Sequence, residues 1–122
     1  MRRPFGTTKQ DDYPAPRRYD LESRLCEAIR DRVRVKVRYK DDILDRVVEP
    51  YGVFTSTKNK VSLVCTLVDN PEDRSAEGQP RYFEVGLIRS VILTDRSFDP
   101  DPRFDPTEPR YQNGFICCIQ RV

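Results

Sequence analysis

The stretch that decides the fold is VRVKVRYK, residues 33–40. Val33, Val35, Val37 and Tyr39 recur at every second position, and Arg34, Lys36, Arg38 and Lys40 fill the gaps. Alternation of this kind sends successive side chains to opposite faces, so the stretch reads as a strand with one apolar and one wholly cationic face. Just before it the period is different. Leu21, Leu25, Ala28 and Ile29 recur at i, i+4, i+7 and i+8, while Glu22, Arg24, Glu27, Arg30 and Arg32 fill the other side. That spacing predicts one amphipathic helix over 20–31, with Asp20 as its N-cap.

Downstream, Asp41 and Asp42 supply a turn, and Leu44 to Glu49 return as a second strand that Pro50 interrupts. Tyr51, Val53 and Phe54 follow, then a polar turn at 55–59. A third strand, Val61 to Val68, is apolar on both faces and therefore central. Residues 69–80 are a solvated loop. Arg81 to Val85 and Ser90 to Thr94 read as the last two strands, with Gly86 marking a bend or bulge. A helix followed by five strands with no crossover helix demands a mainly antiparallel sheet. Curling such a sheet closed removes its exposed edges. The expected class is α+β: an N-terminal helix followed by a small five-stranded antiparallel Sm-like or SH3-like β-barrel.

Seven of the ten prolines, at 4, 14, 16, 100, 102, 106 and 109, fall near the two ends. Residues 1–18 therefore read as a flexible N-terminal arm, 19–98 as the barrel domain, and 99–122 as a Pro-rich extension with a terminal short strand. Phe98 and Phe104 are its anchors. The closing FICCIQRV is apolar and β-prone. It is expected to pair with a sheet edge of its own chain or with a second subunit, a homodimer through residues 111–122; an unstructured end is the alternative.

With 122 residues, 37% hydrophobic and 34% charged, the chain suits one domain with a modest core. No apolar run reaches membrane length and the start has no signal-peptide core, so no membrane contact and a cytoplasmic location are expected. Net charge is only +2, against a generic nucleic-acid coat, but residues 1–40 carry 12 Lys/Arg against 6 Asp/Glu. Of the 22 cations 17 are arginine, the side chain suited to forked contact with phosphate or carboxylate. A solvated, salt-bridged surface is the plainer reading of the same charges.

The sequence contains no histidine, which removes Ser-His-Asp and Cys-His catalysis and mixed Cys/His zinc sites. Cys26, Cys65, Cys117 and Cys118 form no CxxC pair and read as reduced, mostly buried thiols. Phosphate-cradling glycine loops are absent, and the carboxylate clusters sit in solvated turns. No catalytic residue, metal or cofactor is expected, and the chain does not read as an enzyme.

The ordered set LCEAI at 25–29, VKVRY at 35–39, RVVEPYGV at 46–53, RYFEVGLIRSV at 81–91 and FDPDPRF at 98–104 resembles the WYL domain family across residues 20–104. Tyr39, Pro50, Arg81, Phe83 and Ile88 match the family pattern. The naming triplet reads Val61-Ser62-Leu63, and the Arg-Leu-Asp-Arg stretch reads Glu84-Val85-Gly86-Leu87. Arg89, two residues beyond Leu87, falls on the same side of a regular strand. The resemblance implies a Sm-like barrel and a regulatory sensing module. WYL domains mostly stand in bacterial transcription factors behind a helix-turn-helix, or serve as CRISPR accessory units, and bind anionic ligands, nucleotides or single strands. Only one helix is legible here, so a role in transcription implies a DNA-binding partner.

Two functions follow. In the first, the chain binds an anionic small ligand or single-stranded nucleic acid. Arg81 and Arg89 would fork onto phosphate beside Tyr39, Tyr51, Tyr82 and Phe83, with the Arg34, Lys36 and Arg38 stripe adding attraction. Core packing of the tyrosines and ion pairing of Arg81 are the plainer readings of those residues. In the second, the chain is a protein-interaction or oligomerisation module with a degenerate pocket, working through its terminal strand.

Overall fold

A computed structural model describes residues 13–73, 75 and 77–120. The chain is α+β: helix α1 (Tyr19–Asp31) precedes β1 (Val33–Tyr39), β2 (Arg46–Thr55), β3 (Val61–Asp69), β4 (Pro80–Glu84), β5 (Ile88–Ser97) and β6 (Phe115–Cys118). All pairings are antiparallel. The order is β4-β3-β2-β1-β5, and β6 pairs with β2 off that path. Among the described residues no helix is long and apolar enough to cross a membrane.

The helix begins one residue earlier than its periodicity suggested. Arg18 is the N-cap and makes no side-chain cap, and Asp20 lies in the first turn, ion-paired to Arg18. An acid there still complements the positive end of the helix dipole. Leu21, Leu25, Ala28 and Ile29 are buried against the sheet. Arg32 stops the helix in the left-handed conformation at φ 54, its N–H bonding back to Ala28 and Ile29, and β1 starts at the next residue.

In β1 the alternation holds. Val35 and Val37 are buried, while Arg34 and Arg38 reach across to Glu49 and Asp45, both at 3.0 Å. Strand β2 corrects the sequence reading, because it runs through Pro50 to Thr55. Proline has no N–H for the ladder, and the register shifts between Pro50 and Gly52, where a bulge removes that demand. This longer strand pairs with β3 along one side. On the other side its first residues meet β1 and its last meet β6.

The sheet does not close into the expected five-stranded barrel. It curls strongly all the same. Laid flat, strands β4 and β5 at the two ends of the order would stand about 19 Å apart. A single 3-10 turn, Val85–Leu87, joins them, and the steps from Glu84 to Ile88 reach at most about 14 Å. The ends are thus drawn together by the chain while their ladder stays open. Across the gap the Glu84 N–H donates to the Tyr39 hydroxyl at 3.3 Å, and the Tyr39 and Phe83 rings meet at 4.8 Å.

The C-terminal extension packs along β2. Phe98 and Phe104 pack on Tyr51, with ring centroids 5.7 and 5.0 Å away. Tyr111, which the sequence reading passed over, is buried edge-on to Phe54 at 4.8 Å and beside Phe115 at 4.8 Å. Strand β6 pairs within its own chain.

The reading of four reduced thiols is corrected: Cys26 of α1 and Cys117 of β6 form a disulfide across 91 residues of sequence. Helix and terminal strand lie side by side on the same flank of β2, a juxtaposition that residue spacing does not reveal. Cys65 remains a buried thiol, and burial pushes its pKa well above the ordinary value.

Candidate functional site

The larger cleft, about 990 Å³, opens where β1, β3, β4 and the 3-10 turn converge. Its cationic and aromatic lining on the sheet side comes from separate segments: Tyr39 ends β1, Lys40 lies in the turn after it, Lys60 precedes β3, Tyr82 lies in β4 and Arg89 in β5. Ser62, the carboxylates of Asp41 and Glu84, and Gly86, Leu87 and Ile88 complete that side, and residues 13–16 with Arg18 form the facing wall.

The mouth is held by the turn after β1. Asp42 N–H bonds Tyr39 carbonyl at 2.9 Å, and Lys40 takes the left-handed conformation at φ 50. That conformation costs a side-chain-bearing residue roughly 1–2 kcal/mol. Asp42 compensates by anchoring the turn. Its carboxylate takes a two-pronged hydrogen bond from Arg46, both arms 2.8 Å, and another from the Tyr39 N–H at 3.0 Å. Burial opposes its ionisation, but these donors and the nearby Arg89 charge hold its pKa below the ordinary carboxylate value. Arg89 itself donates to the Asp42 carbonyl, which fixes its guanidinium at the cleft. The Lys40 ammonium stands 5.4 Å from the Tyr39 ring centroid.

Three residues singled out from sequence therefore meet here: Tyr39, Tyr82 and Arg89. The others go elsewhere. Tyr51 is 3% exposed, and its hydroxyl accepts the Asp101 N–H at 2.8 Å. Phe83 is buried against Tyr39, with Arg46 5.4 Å from its ring centroid. Arg81 alternates with Tyr82 along β4, lines neither cleft, and donates to the Pro80 carbonyl at 3.3 Å. Arg34 and Arg38 are ion-paired on the outer face of β1, with exposed Lys36 between them. Arg18, Lys40 and Lys60 are the lining cations that the sequence reading did not select. Lys40 carried a signal, as the last cation of the alternating stretch, displaced by the turn from the stripe to the cleft.

Tyr82 is 41% exposed and stands between this cleft and a second one of about 560 Å³. The second cleft lies between β3–β4 and the C-terminal wrap, lined by Tyr51, Thr66, Phe104 and Tyr111 among others. Its arginines are engaged within the wrap, Arg103 with Asp101 at 2.8 Å and Arg110 with Glu108 at 3.2 Å. Arg110 also lies 4.8 Å from the Tyr82 ring centroid. Burial and the adjoining Tyr82 push the Tyr111 hydroxyl pKa well up. The larger cleft thus gathers more cations, four against two, and shares the exposed Tyr82 ring with the smaller one. Among the described residues no group of His, Cys, Asp or Glu is arranged to hold a metal. Comparison of the chain with protein-family models, with curated proteins and with solved structures finds no match in any of the three.

Proposed function

We propose that the chain is a WYL-like regulatory module that binds an anionic ligand, nucleotide-derived or a single-stranded nucleic acid, in the larger cleft. The observation that carries this reading is the convergence of Tyr39, Lys40, Lys60, Tyr82 and Arg89 from separate elements on one concavity. The positions that the resemblance singles out, Ser62 of the naming triplet and Glu84 and Leu87 of the Arg-Leu-Asp-Arg stretch, line the same cleft. A volume near the upper end for small-ligand sites suits a nucleotide. The curl of the sheet, ends drawn together by a 3-10 turn, supports an open variant of the Sm-like fold.

In this reading Arg89, braced by the Asp42 carbonyl, directs its remaining N–H groups to phosphate, and Lys40 and Lys60 add charge at the mouth. The half-exposed Tyr82 ring offers a stacking surface worth roughly 1–3 kcal/mol per base. Tyr39 acts as a wall, its hydroxyl and ring already engaged by Glu84 and Phe83.

The test is fluorescence anisotropy with a short fluorescein-labelled oligodeoxythymidylate at low and physiological salt. Wild type should bind with an affinity that falls as salt rises. Lys40→Ala and Arg89→Ala should each weaken binding about tenfold, the scale of one charge-assisted hydrogen bond. Arg81→Ala should leave it unchanged. Competition by adenosine monophosphate separates a nucleotide site from a strand site. Absence of binding by either probe at tens of micromolar protein overturns the reading.

A further inference from the structure

We propose that residues 13–16 are a hinged wall of the larger cleft, latched by Glu84 and Gly86, and that wall docking and ligand binding reinforce each other. This rests on the anion-site reading of the same cleft. Every other wall belongs to the sheet or its turns, whereas this one is a separate proline-containing segment laid across them.

Its attachment is uneven. At the end joining the helix, Arg17 forks onto Glu22, which is 4% exposed, with Nε and Nη2 at 2.8 and 2.6 Å. On the cleft side, the Ala15 N–H donates to Glu84 Oε2 at 2.7 Å. Beside it the segment passes so close to Gly86 that a Cβ there would stand 2.6 Å from the Pro16 carbonyl oxygen and 2.7 Å from the Ala15 Cβ. Gly86 has no left-handed backbone to explain its identity. Its hydrogen is what lets the segment lie against the turn. Pro14 and Pro16 restrict φ within the segment, so it moves as a stiff strap about its Arg17 end. Tyr13, Pro14, Ala15, Pro16 and Arg18 then face Lys40, Lys60 and Arg89 across the cleft. A ligand between the two sides touches both, and any ligand that binds the docked arrangement better stabilises it in equal measure.

The test compares wild type with Gly86→Ala and with a variant lacking residues 1–16. Binding of the labelled oligodeoxythymidylate is measured together with amide hydrogen exchange in whichever of residues 13–18 each chain retains. Alanine fits the backbone of residue 86 and collides only with the strap. In wild type, the oligonucleotide should slow exchange of the Ala15 amide. Gly86→Ala should speed that exchange and weaken binding about tenfold, and the deletion should weaken binding as much. Oligonucleotide binding by Gly86→Ala or the deletion at wild-type strength or tighter overturns the wall alone. Lack of binding by wild type to the oligonucleotide and to adenosine monophosphate overturns the anion site and the wall together.

Discussion

The two ends of the chain each supply one side of a cleft, and they are fastened in opposite ways. Among the described residues, the N-terminal segment from Tyr13 to Arg17 is attached by an ion pair at Glu22, a hydrogen bond from Ala15 and a close pass over Gly86. The C-terminal wrap has a disulfide to α1, a short ladder to β2 and an aromatic cluster around Tyr111. Covalent closure and buried rings make a permanent wall. A few polar contacts, each net worth about 1 kcal/mol, make one that can lift. The cleft with the permanent wall is lined by two arginines ion-paired within the wrap, and the cleft with the lifting wall gathers Arg18, Lys40, Lys60 and Arg89 from several segments.

This contrast predicts a ranked series of effects. Replacing Cys26 and Cys117 with serine should destabilise the chain by about 4–5 kcal/mol, the chain-entropy scale for a loop of this length. Chemical denaturation of the double variant measures it, and a loss near zero would put the C-terminal wrap on the same footing as the N-terminal strap. Tyr111→Ala should cost about 3–5 kcal/mol as a buried aromatic deletion, read by chemical denaturation.

Arg17→Ala leaves Glu22 buried without its fork. Because Arg17 is itself solvated, the fall in Tm should be smaller than for either preceding variant, read by thermal melting. Acid should act on the turn at the mouth. The Asp42 pKa is depressed in the fold, so its ionised form adds stability above the ordinary carboxylate value near 3.8, and this is lost as pH falls through the lower folded value. Tm should therefore drop below about pH 4, and Asp42→Asn should flatten that drop while lowering Tm at neutral pH. The smallest effect is expected at Lys40. Lys40→Gly relieves the left-handed backbone and should raise stability by about 0.5–1 kcal/mol while weakening anion binding.

Most of the elements were legible because each has a local cause. The period-two run at 33–39, the helical spacing of Leu21, Leu25, Ala28 and Ile29, and the Asp41–Asp42 turn all act within a few residues. Pro50 misled because its local cost is absorbed by a bulge that depends on the partner strand. Closure was over-read, since a three-residue turn draws the sheet's ends together without a ladder. The disulfide was invisible because it depends on two elements 91 residues apart meeting at one flank of β2. At the larger cleft, Tyr39, Tyr82 and Arg89 are singled out by the resemblance together with charge and aromaticity, and the fold brings them to one concavity. Arg81 was drawn in by the same reasoning, although strand alternation sets it on the face opposite Tyr82. Glu84 and Gly86 carry no chemical signal of their own until the segment they hold is seen beside them.

Gly52 makes the berth of the terminal strand. A Cβ at this position would stand 2.7 Å from the edge of the Phe115 ring and 3.3 Å from the Cys117 carbonyl oxygen. A larger residue at position 52 therefore pushes on the last strand whatever the cysteines do, so the seat of the wrap depends on a missing side chain as well as on a covalent bond.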